Sequence, residues 1–361
     1  IRQGAMQMKK TAVMFFSRFL AHNTDPGHPE SPRRLQAAMR GFEQAGLLEA
    51  RKCSLIEPKP ARIEDLRLVH RPEYINYIRQ LCMSGGGILD EETRTIASRE
   101  SFEVARLAVG GVIEAVDKVL TGRFRNVFVL ARPPGHHAGP GYGLGFCIFN
   151  SVASGAAYLL RELGLKRVLI LDVDAHHGNG TQEIFYDRDE VLYISLHEDP
   201  TEFPETGFVD ETGEEEGSGY TVNIPLPYGS GDPAYWKAFK TIVTPVVRQF
   251  DPQFILVSAG FDGYYEDTVG NLSLSAYVYL RVFQQVLDLA HDICQDRMVA
   301  VLEGGYRPSF LRKIVPAIIG RMAGLNVGIR DKRPSLDLIA QKEAERIIED
   351  ARRILSAFWT L

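Results

Sequence analysis

"RVLILDVDAHHGNG" (residues 167–180) sets an unbroken apolar run directly against acids, imidazoles and glycines. A strand with one wet face alternates apolar and polar residues, whereas a continuous apolar run marks a strand covered on both faces, as in a parallel sheet flanked by helices. Six further runs share the β-branched or aromatic character: "TAVMFF" (11–16), "NVFVLAR" (126–132), "EVLYISL" (190–196), "YTVNIPL" (220–226), "QFILVSA" (253–259) and "RMVAVLE" (297–303). Helical patterns separate several of them, at 101–120, 151–163, 233–250 and 276–294. The expected fold is therefore α/β, with a mainly parallel sheet.

With 361 residues, 45% hydrophobic and 24% charged, the chain can bury a sizeable core. Length alone suggests two domains, but no Pro/Ser-rich or charged linker divides the chain, which favours one. A net charge of −5 without a long Lys/Arg run argues against nucleic-acid and membrane-surface partners. Cys53, Cys82, Cys147 and Cys294 lie far apart and read as reduced thiols of a cytoplasmic protein. No apolar stretch is long enough to span a membrane. Residues 1–7 read as a partial tag or a disordered N-terminus. The run 338–359 places Ile347, Ile348, Ala351, Ile354, Leu355 and Phe358 on one helical face, for the core or for a homo-oligomer contact. "DETGEEEGSG" (210–219) reads as a solvated loop that could attract a cationic substrate.

The chemistry-bearing residues fall where strands end: "RPPGHH" (132–137), "DVDAHHGNG" (172–180), "SLH" (195–197), "AGFDG" (259–263) and "EGGY" (303–306). Sites of parallel sheets gather at that carboxyl edge. Asp174 and His176, two apart in an extended tail, can face one side with Ala175 turned away. A carboxylate and an imidazole so placed are two metal ligands; Asp262 is the candidate third, with zinc, iron and manganese all compatible with the ligand types. The alternative is a strand-terminal turn whose Asp and His satisfy each other.

His136 and His137, in a rigid Pro-Pro-Gly turn expected to be solvent-accessible, suit proton transfer. Asp172 and Asn179 can orient them; a carboxylate raises imidazole basicity while an amide mainly orients, so the two histidines should differ. Tyr306, after two glycines that turn the backbone and expose the ring, offers a neutral donor to an oxyanion.

These motifs, with "HPESPRRL" (28–35), "LVHRPEYI" (68–75), "GFCIFNSVA" (145–153) and "YISLHE" (193–198), resemble the histone deacetylases, in particular class II and the bacterial histone deacetylase-like and acetylpolyamine amidohydrolases of the arginase/deacetylase superfamily. The resemblance implies a single catalytic domain over 8–361, with a mainly parallel sheet of about eight strands. It implies zinc on Asp174, His176 and Asp262, and a structural potassium ion on Asp172, Ser195 and the carbonyls of Asp174, His176 and Leu196. By the same resemblance His137 is the general base that activates water and later protonates the leaving amine, and His136, paired with Asp172, is its electrostatic partner. Tyr306 polarises the acetyl carbonyl. Phe146, after Gly145, and Phe203 line the channel for an acylated lysine stem, and a rim acid is expected at Asp90 or Glu92.

Asn179 and Glu303 resemble class II. Val269 stands where polyamine-selective members can carry a glutamate, which favours acetyl-lysine protein or peptide over a small acetylated amine. A two-manganese ureohydrolase would need carboxylates at Gly178 and Tyr264, and an inactive acyl-lysine binding module would not need every catalytic position filled. The absence of regulatory tails suggests a prokaryotic source.

Overall fold

A computed structural model describes residues 10–361; the expectations for residues 1–7 and for a domain opening at residue 8 lie outside the described residues. All seven apolar runs form strands. With three additional strands they are β1 (Thr11–Met14), β2 (Cys53–Ile56), β3 (Gly86–Asp90), β4 (Thr95–Ser98), β5 (Asn126–Val129), β6 (Val168–Asp172), β7 (Val191–Glu198), β8 (Thr221–Leu226), β9 (Phe254–Ala259) and β10 (Met298–Leu302). Eight of them make one parallel sheet in the order β2-β1-β5-β10-β9-β6-β7-β8, and β3 with β4 forms a separate antiparallel hairpin.

The continuous apolar pattern has the predicted cause: every residue of β5 through β10 is buried, with helices flanking the sheet. Each Val, Leu or Ile so buried contributes roughly 1.5–3 kcal/mol. That makes the sheet a stiff floor from which the polar strand ends project. The edge strand β2 escaped sequence reading because it is short, contains Ser54 and leaves Leu55 42% exposed.

Helices Ser101–Leu120 and Ala276–Cys294 match their expected spans, and Ser151–Arg161 starts where predicted, under an Asn150 side chain that accepts from Ala153 N. The expected helix 233–250 is interrupted: Asp232–Ala238 runs through a π-helical turn, Phe239–Val243, into Thr244–Phe250. Pro245 lacks an N–H for the regular ladder, and the Thr244 hydroxyl donates instead to the Phe239 carbonyl at 3.2 Å. The C-terminal helix is Leu338–Leu355; it turns Ala340, Ala344, Ile348, Ala351 and Leu355 inward, whereas Ile347 and Ile354 are half-buried and Phe358, beyond its end, is exposed. This helix covers β8 and helix Asp232–Ala238, the core placement of the two expected.

Candidate active site

The chain leaves β6 at Asp172, and residues 174–176 bend instead of continuing as the expected extended tail, yet Asp174 and His176 still converge, with Ala175 buried. Asp262, just beyond β9, joins them by accepting from Ala175 N at 2.9 Å. Nδ1 of His176 lies 3.3 Å from Asp174 Oδ1 and 3.2 Å from Asp262 Oδ2, and one ligand atom from each of the three residues falls within 4.8 Å of the others. Both carboxylates are buried. Burial first, and the like charge of Asp174 second, push the Asp262 carboxyl upward. Two buried carboxylates at this separation call for a cation, and an imidazole nitrogen turned to the same point completes a ligand set. The strand-terminal-turn alternative accounts for the Asp–His contacts only with His176 protonated between Asp174 and Asp262; burial opposes that charge, but the two carboxylates outweigh it and raise the His176 pKa well above the usual histidine value.

His136 and His137 stand beside this cluster with ring centroids 4.0 Å apart. Nδ1 of His136 is 3.0 Å from Asp172 Oδ2, and Nδ1 of His137 is 2.8 Å from Asn179 Oδ1. The two differ as their partners require. Burial opposes the charged form of His136, but Asp172 and then Asp174 outweigh it and raise its pKa to about 10. Burial, reinforced by His136 and His176, holds His137 well below the usual histidine value. The pair is buried, against the expectation of solvent access, because the Phe203 ring sits edge-on 5.0 Å from His137 and Gly145 packs on its other side. Tyr306 is likewise buried, not exposed: the Arg34 guanidinium covers its ring at 4.8 Å and Phe146 meets it edge-on at 5.6 Å.

A pocket of about 270 Å³ opens onto this cluster, lined by Phe146, Phe203, His137, His176, Tyr306 and Val269, with Gly145, Glu198 and Glu202 also on its wall. Gly145 (φ +54°) and Phe146 (φ +69°) adopt left-handed backbone, and a Cβ on Gly145 would stand 2.3 Å from His137 Cδ2. The β3–β4 hairpin holds that turn: Thr93 Oγ1 accepts from Gly145 N at 3.0 Å and Thr95 Oγ1 from Phe146 N at 2.9 Å. Asp90 accepts from both the backbone and the hydroxyl of Thr93, and Glu92 is exposed. Neither acid lines the pocket; Thr93 does, because Asp90 is committed to the hairpin turn.

The supporting groups were partly missed in the sequence. Glu30 is fully buried and receives two 2.7 Å bonds from Arg132, which opens the His136–His137 loop, and one of 3.2 Å from Arg34. Arg34 also donates to the carbonyls of Glu303 and Gly305, bracing the turn before Tyr306. The only sequence signal was the motif "HPESPRRL". His177 is no ligand; it bonds Thr206 and Gln182, each at 3.0 Å, and thereby ties down the loop carrying Phe203. Glu211 ties the same loop through Gly207 N, so the acidic run 210–219 is anchored near one end, with Asp210, Glu214–Glu216 and Ser218 exposed.

A second group, His136, Cys147 and Glu303, has ligand-type atoms close enough for a metal. Glu303 is already engaged by Gly135 N and His136 N, and Cys147 by the Gly145 carbonyl. The arginase alternative fails on space and direction. A side chain at Gly178 would collide with Asp172 Oδ2 at 2.4 Å, and the Tyr264 hydroxyl bonds Asp331 at 2.9 Å while its ring stacks on Phe310.

Fold and site together define an α/β enzyme with its polar centre at the carboxyl edge of a parallel sheet. The sequence matches the histone deacetylase domain over residues 28–322, and the chain belongs to that family of hydrolases. It is 40% identical over 358 residues to a probable deacetylase of Archaeoglobus fulgidus, covering 97% of this chain and 98% of that one. It is 36% identical over 327 residues to the histone deacetylase-like amidohydrolase of Pseudomonas aeruginosa, covering 91% and 84%. The crystal structure of the HDA15 HD domain superposes with a TM-score of 0.86 at 35% identity, covering 97% of this chain and 95% of that one.

Proposed function

We propose that the protein is a zinc-dependent deacetylase that hydrolyses the acetamide of N-ε-acetyl-lysine, with Asp174, His176 and Asp262 holding the ion. The observation that carries this reading is the juxtaposition of that triad with the differently paired His136 and His137 at the foot of an aromatic pocket. Bound there, zinc supplies Lewis-acid polarisation of water and of the acyl carbonyl. His137, neutral and with Nδ1 engaged by Asn179, takes the proton of the attacking water at Nε2 and returns it to the leaving amine. His136, held charged by Asp172, stabilises the negative charge that develops beside it. The Tyr306 hydroxyl donates to the carbonyl oxygen as it becomes an oxyanion. Phe146 and Phe203 enclose the methylene stem and exclude water; Gly145 and Val269 shape the same wall.

Asp172 and Ser195 face each other in register across β6 and β7, which supports potassium on those side chains and on the carbonyls of Asp174, His176 and Leu196. No helix among the described residues is long and apolar enough to cross a membrane. The four cysteines are free and buried, which supports a reducing, cytoplasmic setting, and archaeal and bacterial relatives support a prokaryotic source.

One observation favours a second substrate: Glu198 and Glu202 line the pocket and suit a small cationic acetylated amine. Comparing kcat/KM for an acetyl-lysine peptide and for N-acetylspermidine tests the choice. The proposal expects the peptide to be preferred; a preference for the polyamine would replace it with the amidohydrolase reading.

A further inference from the structure

Asn179 poses a problem that an aspartate would not. Its amide can present either the oxygen or the NH₂ to Nδ1 of His137, and the two orientations dictate opposite tautomers. Oxygen toward Nδ1 requires the proton at Nδ1 and leaves Nε2 as a base. NH₂ toward Nδ1 places the proton on Nε2 and disables the base.

The structure contains a group that makes this choice. The Tyr142 hydroxyl lies 2.7 Å from Glu183 Oε2 and 3.1 Å from Asn179 Nδ2, so a chain of hydrogen bonds runs from the exposed Glu183 through Tyr142 and Asn179 to His137. Its polarity is set at the outer end. A carboxylate only accepts, so Tyr142 donates its single proton there and turns a lone pair toward Asn179. Only the amide NH₂ can bond that lone pair, and Oδ1 is thereby turned to His137. The tyrosine fits because position 139 is glycine: a Cβ there would stand 2.4 Å from the Tyr142 ring.

We propose that Tyr142 is a positioning residue for His137, acting through Asn179 to keep the proton on Nδ1 and Nε2 free. The inference rests on the reading of His137 as general base. It assigns a role in that chemistry to two residues, Tyr142 and Glu183, that lie outside the pocket lining.

The test uses the zinc-loaded enzyme and a double-mutant cycle. Tyr142→Phe keeps the ring and removes the hydroxyl, and should lower kcat/KM about tenfold, the worth of one committed hydrogen bond, through kcat and not KM. Asn179→Asp removes the ambiguity, because both oxygens accept. In that background Tyr142→Phe should change kcat/KM by less than about twofold, whereas a merely structural role would produce the same loss in both backgrounds. ¹⁵N imidazole shifts, with His137 assigned by its Gln variant, should show Nδ1 protonated and Nε2 bare in the parent, and a shift toward the opposite tautomer in Tyr142→Phe. Equal losses in both backgrounds, or an unchanged tautomer in Tyr142→Phe, would overturn the proposal. If the parent hydrolysed no acyl amide, the general-base reading would fail, while the ¹⁵N pattern would still decide what Tyr142 does to His137.

Discussion

Replacing Glu30 with glutamine should cost more stability than any exposed ion pair in the chain. Glu30, Arg34 and Arg132 are each fully buried, so the carboxylate is the counter-ion of two guanidiniums that water does not reach. Glutamine keeps one acceptor oxygen but turns an NH₂ toward one of them. Breaking a buried pair from one side leaves an uncompensated charge and costs about 3–5 kcal/mol. The bonds of Arg132 to the carbonyls of Phe19 (3.3 Å) and His22 (2.8 Å) cushion part of this, which places the expected loss near the lower bound. Burial alone would raise the Glu30 carboxyl, but Arg132 and His22 hold it well below its usual value of 4.5. A depressed folded pKa means that the stabilisation is fully present above the unfolded value and lost as pH falls through the folded one. The gap between parent and variant should therefore be constant near neutrality and close only in acid. Urea unfolding of both proteins across pH measures it, with Glu30→Gln/Arg132→Met as the partner variant that removes one stranded cation and should recover part of the loss. A loss below about 1 kcal/mol, or no recovery in the double variant, would refute the reasoning.

Tyr306→Phe should lower kcat by a factor on the order of 100–1,000 with little change in KM, and circular dichroism should show the fold intact. Gly145→Ala should cut activity by displacing His137, since its Cβ would meet that ring at 2.3 Å; a variant of parental activity would contradict the packing described. His70 is lowered by burial to about 4, with Nδ1 on the Gly139 carbonyl at 2.9 Å and Nε2 accepting from Asn150 N at 2.9 Å. Its unfolded value is 6.5, so its contribution should be whole above that pH and fall away between 6.5 and about 4. Thermal unfolding of His70→Gln against the parent should show a difference that narrows across that window.

Most of the sheet was legible because strands buried on both faces write a continuous apolar run, and the site was legible because its polar residues interrupt those runs at one end. What escaped had a local reason. β2 and the β3–β4 hairpin are short and partly exposed, so no apolar run marks them. The π-helical turn is visible only once the bond between Thr244 and Phe239 is seen. Burial of His136, His137 and Tyr306 could not be read from "PPGHH" or "GGY", because the covering groups, Phe203, Phe146 and Arg34, come from remote segments. Glu30 and Tyr142 are the clearest case. Glu30 was legible only as part of the motif "HPESPRRL" and Tyr142 not at all, and each gains its meaning from partners that only the fold brings near: Arg132 is 102 residues from Glu30, and Glu183 is 41 from Tyr142.

The central claim is that Asp174, His176 and Asp262 hold a catalytic zinc ion. The most direct test follows hydrolysis of an acetyl-lysine peptide by the enzyme as purified, after chelation, and after one equivalent of zinc is restored, with metal content measured at each stage. The account predicts activity lost with the metal and regained at one zinc per chain, and neither retained nor regained when Asp262 is replaced by asparagine. Full turnover by the metal-free protein, or full recovery in Asp262→Asn, would contradict it.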